Sequence, residues 1–175
     1  MKKTNVEKIV ISDIRKYNTL IGFETWFGNE ITTIGDHQGK PIHEVASNKM
    51  IHCAGFAFSA ATMNVNKTAY MVIVDDLFKN SPSYVQEFMR NHEIGHIKLS
   101  HLDNSVNNIQ NKIKRLLGIG TISQNEYEAD AYSAARVGYD NAIKALTYLL
   151  DNYNFGFLSN REMKNRLKIL KRSAV

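Results

Sequence analysis

The chain has 175 residues, 43% of them hydrophobic and 22% charged, with only 2 Pro, a composition that can build a hydrophobic core and excludes a disordered or low-complexity protein. Lys and Arg total 22 against 17 Asp and Glu, a formal +5, which permits an acidic or nucleic-acid partner without requiring one. The single cysteine, Cys53, excludes an intrachain disulfide and a zinc–thiolate cluster, and suits a reducing cytosol.

No apolar run is long enough to cross a bilayer; the longest spans Ala69 to Val74. Charges return at Lys8 and Asp13 before a signal-peptide core can develop, so the expectation is a cytoplasmic single domain over 1–175 with no membrane insertion. Val6, Ile9, Val10, Ile14 and Tyr17 recur at helical spacing and predict a first amphipathic helix over 5–18. Aromatic and β-branched residues from Leu20 to Ile34 surround Gly28-Asn29 and predict a hairpin, followed by a polar loop from Gly35 to Pro41. Phe56-Ala57-Phe58 and Ala69 to Val74 read as strands, with a turn at Asn64-Val65-Asn66-Lys67. Ser81-Pro82-Ser83 supplies a helix start, and this helix should run to about Leu99 with Val85, Met89, His92, His96 and Leu99 on one interior stripe. Further helices are expected to open at Ser123, at Asn141 after the Gly138-Tyr139-Asp140 break, and near Asn160. Ala129, Ala131, Ala134 and Ala135 would let the first of these pack closely.

Two histidines on an interior stripe need partners. Residues 92 to 96 read His92-Glu93-Ile94-Gly95-His96, an HExxH pattern whose i and i+4 histidines share a helical face and can bind one zinc ion. Glu93 points about a quarter-turn away, where it can reach a water held by the metal and act as general base. Random placement of 6 His and 9 Glu gives on the order of 0.01 such triplets, so the pattern gains its weight from its position midway along a helix that follows a strand. Downstream, Glu126 and Asp130 stand four apart on one helical face. One carboxylate can complete three zinc ligands, leaving a fourth position for water, while the other accepts from the distal nitrogen of a ligand histidine. Glu126 is the expected third ligand, with Glu128 as the alternative, and Asp130 is the orienting acid. Ser123-Gln124-Asn125-Glu126 also fits a capping box, in which Glu126 would serve only its own helix. His101, about 140° round the helix from His96, is expected to finish the helix and not to join the metal.

With these residues in place the chain resembles the gluzincin metallopeptidases, which pair HExxH with ExxxD. More closely it is similar to the CAAX prenyl endopeptidases and their bacterial heat-shock protease relatives over roughly residues 51–170. His92 to His101 has the HExGHxxxxH form, Glu126 to Ala131 matches the ExEADA segment, Gly138 to Ala142 resembles a GYDxxA turn, and Arg166-Leu167 matches a late Arg-apolar pair. The resemblance implies an α+β zincin-like fold: a small antiparallel sheet packed on the HExxH helix, with a helical C-terminal half. It implies zinc on His92, His96 and Glu126, Glu93 as base, and an edge strand at Phe56, Ala57 and Phe58 that takes an extended peptide as antiparallel partner. Two departures matter. Family members generally carry transmembrane helices, which this sequence lacks, so prenylated and membrane substrates are not expected. The family's late His-Pro falls on Asn160-Arg161, so Asn160 is the expected oxyanion donor in its place.

The expected function is zinc-dependent endopeptidase activity on extended or flexible segments of a protein or peptide substrate. Two competitors use the same residues differently. A non-catalytic zinc-stapled binding module would keep the ligands and have no need of Glu93. A basic nucleic-acid-binding regulator would use Arg161, Lys164, Arg166, Lys168, Lys171 and Arg172, although such a run on a helix is ordinarily a solvated face. His37, His43 and His52 read as ordinary surface or core histidines, and Cys53 as a small buried hydrophobe.

Overall fold

The computed structural model describes residues 8–10, 31–47, 50–53, 56–58, 60–102, 124–153 and 157–174. It is an α+β protein whose chain divides into two compact units, residues 1–81 and 82–175. The first unit holds all the described strands and the second holds the longer helices.

In the first unit, β1 (Lys8–Val10), β4 (Met50–Cys53) and β5 (Phe56–Phe58) form a three-stranded sheet in the order β1-β4-β5. Strands β2 (Ile31–His37), β3 (Lys40–Ala46), β6 (Ala60–Val65) and β7 (Ala69–Val74) form a four-stranded sheet in the order β2-β3-β7-β6. The β-branched run of β7 is buried at every position, as expected of a central strand covered on both faces. Its Met71 and Ile73 join Val45, Val65 and Ala69 in the core of this unit. The helical turn α1 (Asp76–Lys79) follows, capped by Asp75, whose carboxylate Oδ1 accepts from the Phe78 amide at 3.0 Å.

Four expectations for this unit are corrected. The antiparallel sheet is mixed: β3 and β7 run parallel, Ile42 opposite Tyr70, because the chain between them makes a long excursion and not a hairpin. Lys8–Val10 is a strand paired in parallel with β4, where a helix over 5–18 was expected. Ile9-Val10-Ile11 is β-branched, and so short a run fits either period; the remainder of that predicted helix lies outside the described residues. The hairpin predicted around Gly28-Asn29 also lies outside them up to Glu30, and Ile31–Ile34 belongs to β2, which turns into β3 within the expected loop. Gln38 and Gly39, with φ of 53° and 72°, make a two-residue connection with both central residues left-handed, the geometry that matches strand twist. The later turn falls one residue beyond its predicted place, at Asn66-Lys67, after an additional strand, β6.

In the second unit, α2 (Ser83–Lys98) starts after Pro82 as expected, and α3 (Gln124–Val137), α4 (Tyr139–Asn152) and α5 (Phe157–Ser173) pack with it. Val85 and Phe88 of α2 meet Ala134, Ala142, Ala145, Leu146, Leu149, Met163 and Leu170 in one core. The expected stripe on α2 holds at Val85 and His92 but fails at Leu99, which is 42% exposed, because the helix stops at Lys98. Of the four alanines thought to ease packing, Ala129 and Ala134 are buried while Ala131 and Ala135 face outward. Ser133 takes the inner position instead, its hydroxyl donating to the Phe88 carbonyl at 2.7 Å.

The approach of α2 to α3 is set by Gly95. A Cβ built there would lie 3.2 Å from the Ala129 Cα and 3.3 Å from the Ala129 carbonyl oxygen, closer than most Cβ atoms come to backbone, so α3 would have to give by a few tenths of an ångström. Glycine at this one position lets the two helix backbones close, and that closeness brings the face of α3 bearing Glu126 and Asp130 onto the histidines of α2.

Candidate metal centre

His92 and His96 project from adjacent turns of α2, their ring centroids 4.8 Å apart and their Nε2 atoms 3.1 Å apart. Glu126, in the first turn of α3, presents Oε2 to His92 Nε2 at 3.3 Å and Oε1 to His96 Nε2 at 3.7 Å. These three residues form the one group of potential metal ligands among the described residues. A tetrahedral zinc ion with ligands at about 2.0–2.1 Å needs donor atoms roughly 3.3 Å apart. The two Nε2 atoms, 3.1 Å apart, lie close to that edge length, each faces one of the two Glu126 oxygens, and one ligand atom from each residue lies within 4.8 Å of the others, so the donor types suit the ion and the carboxylate need turn only slightly to present one oxygen to both rings.

The site is braced differently on its two sides. On the His92 side, Asp130 is 2% exposed and accepts from His92 Nδ1 at 2.8 Å. Arg166 of α5 grips the same carboxylate with two donors, Nε to Oδ2 at 2.7 Å and Nη2 to Oδ1 at 2.5 Å, and reaches Glu126 Oε2 with Nη1 at 3.3 Å. On the His96 side, Nδ1 meets His101 Nδ1 at 3.0 Å. His101 Nε2 in turn lies 3.0 Å from Glu128 Oε2, and Gln124 Nε2 donates to Glu128 Oε1 at 3.0 Å.

The charges follow from these contacts. Burial and the Arg166 guanidinium pull the His92 imidazole down, but hydrogen bonds to Asp130 and Glu126 prevail and hold it at about 9. Burial, then the charge on His92, push His96 down to about 3, so its ring is neutral and ready to act as a ligand. Burial disfavours the charged forms of Glu126 and Asp130. His92 and Arg166 outweigh it at Glu126, Arg166 and His92 outweigh it at Asp130, and both acids are held below their usual ranges. Without metal the cluster therefore balances two carboxylates with a guanidinium and an imidazolium.

Of the residues singled out from the sequence, His92, His96, Glu126 and Asp130 come together here. Glu93 is half-buried on α2 beside His92. Asn160 is half-buried on α5, six residues ahead of Arg166. Phe56, Ala57 and Phe58 form β5, an edge of the three-stranded sheet among the described residues, in the first unit. Glu128 does not join the ligand triangle, and Ser123 of the supposed capping box lies outside the described residues.

Two participants have no role at the site in the sequence reading. Arg166 stands there in the basic run and in the late Arg-apolar match, but its side chain is only 12% exposed whereas Arg161, Lys164, Lys168, Lys171 and Arg172 face outward. The available signal was its place on the buried stripe of α5, three residues after Met163 and four before Leu170. His101 was placed by continuing an ideal helix past its actual end. Searches of protein families, curated proteins and solved structures find no match to this chain.

Proposed function

We propose that this chain is a zinc-dependent endopeptidase of zincin-like fold, with His92, His96 and Glu126 holding the metal and Glu93 as general base. The observation that carries the reading is the donor cluster, two imidazole nitrogens and a carboxylate with one ligand atom of each within 4.8 Å of the others, made by residues on two different helices. Held by these residues, zinc would supply Lewis acidity to a water and to the scissile carbonyl. Glu93 would take the proton of the attacking water on its carboxylate and deliver it to the leaving amine. Asp130 keeps the His92 ring turned so that Nε2 faces the triangle, and Arg166 keeps Asp130 ionised. Asn160 is assigned the oxyanion through its side-chain amide. The substrate is an extended or flexible segment of a protein taken as an added strand, the role proposed for β5, which is an edge strand among the described residues. The proposed setting is the cytoplasm, with unanchored substrates; no helix among the described residues is long and apolar enough to cross a membrane.

The test combines metal analysis with one substitution. Wild type should bind about one zinc per chain and Glu126→Ala should bind it far more weakly. Glu93→Gln should bind zinc as wild type does and cleave an unstructured protein on the order of 10²- to 10⁴-fold more slowly. A Glu93→Gln protein that cleaves normally overturns the assignment, and a wild type that binds zinc without cleaving anything points to the zinc-stapled binding module.

A further inference from the structure

Helix α2 ends in a way that serves His96. Its last carbonyls are met by Ser100 N, donating to Ile97 O at 3.0 Å, and by His101 N, donating to His96 O at 2.9 Å, the paired bonds of a Schellman cap. Ser100 takes the left-handed conformation, φ 57°, that this cap ordinarily gives to glycine. The chain thereby reverses at Ser100 and folds His101 back over the preceding turn. There it is 8% exposed, its ring centroid 5.1 Å from that of His96.

We infer that His101, backed by Glu128, is a positioning residue that fixes the ring orientation and tautomer of His96 as a metal ligand. The inference rests on the proposed zinc site and extends it to a third histidine. Two ring nitrogens 3.0 Å apart share one proton, so one donates and the other accepts. A His96 that keeps its Nε2 lone pair for the metal carries its proton on Nδ1 and donates it to His101 Nδ1. His101 then carries its own proton on Nε2 and donates to Glu128 Oε2, while Gln124 donates to the other Glu128 oxygen. The two ring bonds run in one sense toward Glu128, the Gln124 bond meets it on its other oxygen, and none conflicts; with His101 so protonated, the reverse tautomer of His96 would break the first of them. The opposite ligand is oriented by one acid directly; this one is oriented by an acid through an intervening imidazole.

The experiment measures zinc affinity of the full chain by competition with a chromogenic chelator. His101→Phe, which keeps a ring but loses the acceptor, should bind zinc 10- to 100-fold more weakly than wild type. His101→Gln, whose amide can accept from His96 and donate to Glu128, should recover most of that loss. Glu128→Ala, at a side chain 44% exposed, should fold normally and bind a few-fold more weakly. Wild-type affinity in a folded His101→Phe overturns the inference and leaves the zinc site standing, as does a folded His101→Gln as weak as His101→Phe. If His101→Phe does not fold, Glu128→Ala decides: weaker binding supports the relay and unchanged binding overturns it. A wild type that binds no zinc removes the proposed function and this inference together.

Discussion

Asp75 in the first unit and Asp130 in the second are 1% and 2% exposed, yet they titrate in opposite directions. Burial raises Asp75 to about 6, and its backbone hydrogen bonds do not offset the loss of water; the neighbouring Asp76 adds to the rise, and Oδ2 has no hydrogen-bond partner among the described residues. Asp130 suffers the same burial and is nonetheless held low, because Arg166 and His92 occupy both of its oxygens. The difference teaches that burial alone says nothing about a carboxylate's charge. The first acid caps the start of a helix turn, and the second is one member of a charge-balanced set beside the candidate ligands.

Removing the counter-charge breaks that contrast most directly. Arg166→Ala leaves Asp130 and Glu126 buried with His92 as their remaining cation, and should cost about 3–5 kcal/mol in urea unfolding of the metal-free protein. A loss under 1 kcal/mol would mean that the fork on Asp130 contributes little. The smaller test is made at Asp75. Its folded pKa of about 6 stands above its ordinary 3.8, so the folded state holds this proton more tightly than the unfolded chain does. The associated stability is present below about pH 4, is lost as pH rises to about 6, and amounts to about 3 kcal/mol for a shift of about two units. Asp75→Asn keeps the helix cap and should lie above wild type at pH 7 while converging with it near pH 4; parallel unfolding profiles would remove the effect. The third test probes what allows Asp130 to reach His92. Gly95→Ala improves helix propensity but forces a methyl against the Ala129 backbone, and the net should be a loss of about 1 kcal/mol with weaker zinc binding.

The centre was legible in the sequence wherever its parts repeat at short helical intervals. His92 and His96 are four apart, as are Glu126 and Asp130, and one turn of helix fixes which side chains in each pair point the same way. Arg166 is 74 residues from the histidine it approaches, and no local pattern encodes that distance. His101 was hidden by a different cause. Glycine or asparagine would have announced the reversal, but Ser100 makes it, so an ideal helix carried through residue 101 points the ring the wrong way. The strands show the same division: β7 declared itself by an unbroken apolar run, whereas the parallel pairing of β3 with β7 depends on a crossover that only the folded chain reveals. Lys8–Val10 was lost because three residues are too few to distinguish the two periods.

The length of chain between His92 and Arg166 also bears on when the centre can exist. Synthesis releases His92, Glu93, His96 and then Glu126 and Asp130 well before the arginine that neutralises them. Until then Asp130 and Glu126 lack the guanidinium that faces both of them in the folded chain, so the charge balance of the cluster is completed only when α5 joins α2 and α3.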